Sequence, residues 1–130
     1  MKREILFRGK KSNGRWVYGS LVVSENINPA IYYNVSKGVA DVLDWCYVSP
    51  ESIGQYTGLT DKNGVKIFEG DIVTGQNCRF VVKYDERQAE FVAVNSTLPK
   101  GFGLPMSQTW INETNKIICG NIHDNPGLMK

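Results

Sequence analysis

The chain has 130 residues, of which 42% are apolar and 22% charged, and its formal net charge at neutral pH is +2. This length suits one domain, which we expect to span residues 1–130 and to bury roughly two thirds of its unfolded surface. The composition excludes a disordered polar chain, and no stretch approaches the ~20 apolar residues of a membrane span.

The positive charge is concentrated at the start of the chain. Within the first twenty residues six basic side chains stand against one acid, Glu4, which leaves +5, whereas the remainder carries nine basic against twelve acidic residues, or −3. A basic arm of this kind is suited to contacting phosphates. The alternative, which we favour, is an exposed edge strand that Lys and Arg protect from aggregation. The six basic residues are Lys2, Arg3, Arg8, Lys10, Lys11 and Arg15.

The first strands are predicted to form a hairpin. Residues 4–8 alternate weakly between apolar and polar, residues 15–23 are rich in aromatic and β-branched side chains, and 11–14 form a glycine-containing turn between them. Gly19 interrupts the second strand and indicates a bulge or a sharp bend.

Two further strands and one helical turn follow. We expect strands over 30–35 and 41–48, joined around 37–38. In 49–52 a serine at the N-cap position precedes a proline at the first helical position, which predicts a single helical turn.

Residues 53–73 contain two turns and two short strands. The turn at 61–64 reads DKNG and places glycine where a left-handed residue is required. At the second turn, 69–71, we expect Gly70 to allow the tight bend and Asp71 to stabilise it through its side chain, with the following Ile-Val packed inside. Small SH3-like barrels often enter a strand in this way, although a fold does not determine a function.

The last third predicts a hairpin, a long loop and a final strand. The hairpin strands are 79–84 and 90–94, and the loop covers 95–108. Loops of this length are uncommon unless they are functional or mobile. Residues 106–110 are expected to lead into a strand, and 116–122 form the last one.

We therefore expect an all-β, mostly antiparallel fold: a small, partly open SH3-like barrel with additional strands. No segment shows sustained helical periodicity, so no helix of ten or more residues is expected. The predicted core consists of Ile5, Val17, Ile53, Leu59, Phe68, Ile72, Val73, Val82, Phe91 and Ile122.

No constellation of side chains suggests catalysis. The one histidine, His123, precedes Asp124 in a turn, which is poor geometry for a nucleophile-activating triad, so we expect a surface histidine. Asp85 and Glu86 lie in a turn rather than across a cleft. A Gly-Phe-Gly segment at 101–103 lacks the rest of a dinucleotide-binding loop. We predict no enzyme activity, no catalytic residues and no cofactor.

The three cysteines indicate a reducing compartment. Cys46, Cys78 and Cys119 are far apart and form no Cys-x-x-Cys or Cys/His pair, so no metal site is predicted. We expect them to be small buried residues. The N-terminus has charges without an apolar run, so no signal peptide is expected, and we predict a cytoplasmic location.

Aromatic residues accompany the basic ones. Trp16 and Tyr18 are two residues apart and therefore share one face of their strand. Aromatic rings beside Arg and Lys can stack on single-stranded bases. The alternative, which we favour, is that the aromatic residues of the chain, with Tyr32, Trp45 and Tyr47 among them, fill the core of a small barrel. The candidate nucleic-acid-binding residues are Arg3, Arg8, Lys10, Lys11, Arg15, Trp16 and Tyr18.

Several segments resemble the YopX family of phage and prophage proteins. The matching segments are MKREILFRG at 1–9, RWVYG at 15–19, VSPESIGQYTGL at 48–59, DKNG at 61–64, IFEGDIV at 67–73 and GNIHDNPGL at 120–128. Gly9 stands where the family often has Trp, and Gly127 replaces the usual acid. Residues 20–47 and 95–112 show no clear resemblance.

The resemblance implies a phage or prophage origin, a cytoplasmic location and an all-β fold, but no activity and no catalytic residues. Two functions of different classes remain open. One is a non-enzymatic accessory protein associated with nucleic acid; the other is a protein-interaction module that acts on a host factor through residues 95–108. We expect no membrane partner. Unpaired sheet edges favour a homo-oligomer.

Overall fold

The computed structural model of the chain describes residues 1–36, 38 and 42–129. These residues form eleven strands, one short helix and single 3-10 turns at Pro50–Ser52 and Pro126–Met129. The helix, α1, spans Gln108–Glu113. The strands are β1 Phe7–Lys10, β2 Trp16–Ser24, β3 Ile27–Asn34, β4 Leu43–Tyr47, β5 Gly54–Thr60, β6 Lys66–Phe68, β7 Asp71–Gly75, β8 Cys78–Asp85, β9 Glu90–Val94, β10 Leu104–Pro105 and β11 Ile117–Asn121.

The strands form two antiparallel sheets, which confirms the all-β, mostly antiparallel prediction. One sheet has six strands in the order β4-β3-β2-β1-β5-β6, and the other has five in the order β10-β9-β8-β7-β11. Among the described residues neither sheet closes into a barrel, so the predicted SH3-like barrel is not confirmed. Closure requires pairing between strands far apart in sequence, which local turn signals do not specify.

The chain divides into two compact units, residues 1–56 and 57–130. The prediction of one domain over 1–130 stays a prediction, because compact units of this size can belong to a single domain.

The first unit is built on the predicted opening hairpin. β1 pairs antiparallel with β2 and, at Phe7 and Arg8, with β5. β1 therefore lies inside its sheet, and the interpretation of the basic arm as a protected edge strand is wrong. β4 begins at Leu43; the predicted strand start at Asp41 and the turn residue Lys37 lie outside the described residues.

Gly19 is explained by close backbone approach and not by a bulge. A Cβ atom there would lie 2.0 Å from the carbonyl oxygen of Tyr32. The register shift between β2 and β3 falls instead between Val22 and Ser24. The core of this unit consists of Val17, Ile31 and Val48, with partly buried side chains around them.

The second unit packs the β7–β8–β9 meander over a core that includes Ile67, Val73, Val82 and Ile111. The prediction that 106–110 leads into a strand is wrong, because α1 starts there. The Ser107 side chain accepts a hydrogen bond from the backbone amide of Trp110 and caps that helix. The predicted loop 95–108 also contains the short strand β10.

The predicted core is largely correct. Five of its members are buried, Val17, Phe68, Ile72, Val73 and Val82, and three are partly buried, Ile53, Leu59 and Phe91. The prediction is wrong for Ile5 and Ile122, which are 41% and 37% exposed. Both lie just beyond a strand end, where alternation no longer directs a side chain inward.

The cysteines are less buried than expected. Cys46 is partly buried, whereas Cys78 and Cys119 are exposed, and all three are free thiols. Cys78 opens β8 beside the hairpin turn, opposite Gly75, and Cys119 sits at the register shift between β11 and β7. In the part of the chain that the structure describes, no helix is long and apolar enough to cross a membrane.

Candidate nucleic-acid interface

The sheet of the first unit presents a row of aromatic and basic side chains on one face. Residues directly opposite each other in paired strands lie on the same face of a sheet. The β1–β2 register pairs Arg8 with Tyr18 and Lys10 with Trp16. The register continues through Ser20 opposite Tyr32 and through Tyr32 opposite Trp45. We call this surface the aromatic face; it comprises Arg8, Lys10, Trp16, Tyr18, Tyr32, Trp45 and Tyr47.

The opposite face of the same sheet forms the core. Val17 and Ile31 alternate with aromatic-face residues along β2 and β3, and both are buried. The prediction that the aromatic residues fill the core is therefore wrong for most of this set. Exposed fractions are 46% for Tyr18, 37% for Tyr32, 46% for Trp45 and 50% for Tyr47. Large rings left in water on a sheet face indicate a binding surface more than a packing role.

At the basic end of the aromatic face, the side chains of Arg8 and Lys10 both lie against the ring of Trp16. The guanidinium carbon of Arg8 lies 4.6 Å from the centroid of the indole ring, and Lys10 Nζ lies 5.6 Å from it. Arg8 is buried, so its planar cation is fixed against the ring. This arrangement places two positive charges at one end of the exposed aromatic rings.

The other predicted site residues are less closely associated. Lys11 and Arg15 flank the β1–β2 turn, where the Lys11 amide donates to the Arg15 carbonyl oxygen at 2.9 Å. Arg3 lies in the exposed segment before β1, outside the paired strands. The structure thus brings Arg8, Lys10, Trp16 and Tyr18 together, sets Lys11 and Arg15 at the adjoining turn and leaves Arg3 apart.

The far end of the face was missed by the sequence analysis. The Tyr32 and Trp45 rings stack with centroids 6.1 Å apart and planes 24° apart. The Tyr47 ring meets Trp45 edge-on at 5.0 Å. One signal was available: Trp45 and Tyr47 have the same two-residue spacing as Trp16 and Tyr18. Beside these rings a pocket of about 250 Å³ opens over Ala30 and Val22.

Two buried carboxylates in the second unit are structural. Asp61 Oδ1 accepts from the amides of Asn63 and Val65, both at 2.9 Å, and its Oδ2 accepts from the Ile118 amide at 3.0 Å. Asp71 Oδ2 accepts from the Phe68 amide at 2.7 Å, as expected for the second turn. Carboxylates whose lone pairs are used in this way organise turns and are poorly placed to act on a substrate.

A buried lysine in the second unit is also held by the fold. Lys116 Nζ donates to the Gly75 carbonyl oxygen at 3.0 Å and lies 5.6 Å and 5.3 Å from the ring centroids of Phe80 and Trp110. Burial lowers the pKa of Lys116, and the nearby Cys78 opposes that shift. No group of three potential metal ligands occurs among residues 1–36, 38 and 42–129.

The sequence family is decided by a match that spans almost the whole chain. The family model described as YopX protein matches residues 6–130. The chain belongs to the YopX family. No curated protein resembles it closely enough to count as a match.

A solved structure of similar fold exists for the YopX chain. The crystal structure of protein EF1440 from Enterococcus faecalis superposes with a TM-score of 0.68 at 22% identity and covers 98% of this chain and 99% of that one. At this identity the similarity establishes the fold alone.

Several segments with YopX resemblance contain the turns between strands. Gly64 and Gly70 adopt φ values of 83° and 93° in the turns at 61–64 and 69–71. Near the end of the chain, Asn121 Oδ1 accepts from the amides of His123 and Asp124. The three aromatic residues at the far end of the aromatic face lie within 20–47, a stretch that the family model covers although its sequence pattern alone showed no clear resemblance.

Proposed function

We propose that this YopX protein is a non-enzymatic accessory protein of phage or prophage origin that binds single-stranded nucleic acid on its aromatic face. The observation that supports the proposal is the partly exposed Lys10 on the Trp16 ring beside exposed Tyr18, with the buried Arg8 holding the same ring from within. Cations attract the phosphates, and aromatic rings stack on bases irrespective of sequence.

A single strand fits this surface better than a duplex does. The aromatic residues stand on a sheet, and rings can stack on bases only where those bases are not already stacked within a duplex. The exposed rings of Tyr18, Tyr32 and Trp45 extend over successive strands β2, β3 and β4. Such an array provides several stacking positions beside one basic end.

The second candidate is a protein-interaction module that acts on a host factor through residues 95–108. The Arg87 side chain donates to the Gly101 carbonyl oxygen at 2.6 Å and holds this segment against the β8–β9 hairpin. Phe102 is 54% exposed, and it borders a groove of about 430 Å³ together with Lys83 and Glu86. The mixed charges of this groove do not favour one class of partner, so nucleic acid remains our first proposal.

The test of the nucleic-acid proposal is salt-dependent binding to single- and double-stranded DNA and RNA. We expect affinity for single strands to fall steeply with salt. Lys10→Ala should reduce the slope of log affinity against log salt by about one unit. Tyr18→Ala should weaken binding by about 1–3 kcal/mol because one base loses its stacking partner.

Matched controls lie on β8 of the second unit. Lys83 is exposed and Tyr84 is 43% exposed. Lys83→Ala and Tyr84→Ala should therefore leave affinity and salt slope unchanged. Absence of binding at low salt would eliminate the proposal, and equal losses in the control variants would move the site away from the aromatic face. A pull-down from host lysate with Phe102→Ala would then test the second candidate.

The proposal also assigns the protein to the cytoplasm, where nucleic acid is accessible and thiols stay reduced. The free thiols of Cys78 and Cys119 are compatible with that compartment. Fractionation of cells that express the untagged chain measures the location.

A further inference from the structure

We infer, resting on the proposed function, that the pocket at the far end of the aromatic face receives one nucleobase of the bound strand. We call this pocket the base slot; its lining consists of the apolar or aromatic residues Val22, Ile27, Ala30, Tyr32, Trp45 and Tyr47 and the polar residues Ser24 and Asn28.

The slot exists because a small residue stands between rows of large ones. Val22, Ala30 and Tyr47 are opposite one another across β2, β3 and β4. In the neighbouring row Tyr32 stands opposite Trp45, and their rings are stacked. Because the side chain of Ala30 is only a methyl group, it leaves a depression in the surface of the sheet, and the larger rings beside it form the walls of that depression. The resulting volume is about 250 Å³.

The chemistry of the slot suits a base and not a phosphate. Its described lining contains no charged side chain, and the basic groups Arg8 and Lys10 lie on β1, at the other end of the face. The Ser24 hydroxyl and the Asn28 amide can donate to or accept from the polar edge of a base. A peptide or a second copy of the chain would not require the basic end, so charge complementarity favours nucleic acid.

The distance between the two ends predicts the length of the ligand. On β2, Trp16 at the basic end and Val22 at the base slot are six residues apart, which at about 3.4 Å per residue is roughly 20 Å. Bases that are separated so that each can lie on a protein ring are spaced at roughly twice the 3.4 Å of a stacked strand. A strand of about four or five nucleotides therefore reaches from the Trp16 cations to the base slot, whereas a dinucleotide cannot contact both.

The experiment measures binding of oligothymidylates and oligouridylates of two to eight nucleotides to wild-type protein and to Ala30→Leu. For the oligothymidylates, the oligouridylates or both, wild-type affinity should rise sharply with length up to about five nucleotides. Ala30→Leu fills the slot without removing an aromatic ring or a charge. It should weaken binding of the hexamer about tenfold, the scale of one lost stacking contact, and leave the salt slope unchanged. Val23→Leu, at a residue 67% exposed on the same strand as Val22, should bind as wild type.

Abasic scanning of the hexamer tests the slot in wild-type protein and does not depend on the folding of a variant. One abasic position should cost about tenfold, and Ala30→Leu should be insensitive to that substitution. If no oligonucleotide binds at low salt, the proposed function fails. If oligonucleotides bind with a normal salt slope but Ala30→Leu equals wild type and no abasic position stands out, only the base slot is overturned.

Discussion

At the residue scale, Asp61 is the carboxylate on which the most local structure depends. It is buried, and its two oxygens accept three backbone hydrogen bonds, from Asn63, Val65 and Ile118. Two of these bonds form the β5–β6 turn and the third reaches β11. The same side chain therefore stabilises a turn and anchors a strand from far along the chain.

Replacing Asp61 should be costly. Asp61→Ala leaves three partly buried backbone hydrogen bonds without their acceptor, and we expect a loss of about 1–3 kcal/mol in the free energy of unfolding. Asp61→Asn keeps one acceptor oxygen and should lose less. Urea unfolding measures both. The matched control is Asp85→Ala, because Asp85 accepts from Arg87 and Gln88 in an exposed turn. Equal losses at Asp61 and Asp85 would contradict this account.

Lys116 gives the chain a predictable response to alkaline pH. Its folded pKa is lowered by burial from the ordinary value of 10.5. Between these two pKa values the unfolded chain binds more protons than the folded chain, so the contribution of Lys116 to the free energy of unfolding rises with pH. Below the pKa of Lys116 in the folded state, Lys116 is protonated in both the folded and the unfolded chain, and the cost of burying its charge lowers the free energy of unfolding by its full amount.

Comparison with Lys116→Met isolates this effect. From pH 7 to pH 10 the wild-type free energy of unfolding should increase relative to that of the variant, because only the wild type carries the buried amine. Urea unfolding gives the difference in free energy of unfolding between wild type and variant at pH 7 and again at pH 10. Lys83→Met, at an exposed lysine, should run parallel to wild type. A wild-type curve parallel to that of Lys116→Met would show that burial does not disfavour the charged amine.

At the element scale, local turn chemistry was predictable from the sequence and short helices were not. The turns at 61–64 and 69–71 were predicted because their signals are local: Gly64 has a positive φ within the first turn, and Asp71 accepts from the Phe68 amide three positions away. Helix α1 has six residues. That length is too short to show helical periodicity, and only Ser107 marks its start.

Only the basic end of the candidate site was predictable from the sequence, because only that end is defined by residues close together in the chain. Trp16 and Tyr18 were chosen because basic residues surround them in sequence. Tyr32, Trp45 and Tyr47 join the same face only through the pairing of β2, β3 and β4, which is not a local property. The sequence pattern shows which side chains share a face. It does not show which face is covered, so the aromatic residues were assigned to the core.

At the scale of the whole molecule, β4 supports the expectation of a homo-oligomer. It ends the six-stranded order, and among the described strands it pairs with β3 alone. Leu43 on this strand is 68% exposed. A five-residue edge with exposed apolar side chains favours pairing with another strand. Antiparallel pairing of two β4 strands about a two-fold axis normal to the sheet would place both aromatic faces on the same side.

We therefore expect light scattering at high micromolar concentration to show a dimer. Leu43→Lys places a charge at the edge and should shift the protein toward the monomer, whereas Val65→Lys, at a residue 52% exposed in the second unit, should not.

If the two aromatic faces are joined, the dimer should also bind long single strands more tightly than two monomers do, because the second contact becomes intramolecular. Leu43→Lys should abolish that gain, which is measured as the ratio of long-strand to hexamer affinity because the added charge lies on the face of Trp45 and Tyr47 and affects both affinities. A wild-type monomer at high micromolar concentration would contradict both expectations at once, since continuous binding across two copies requires the paired edge.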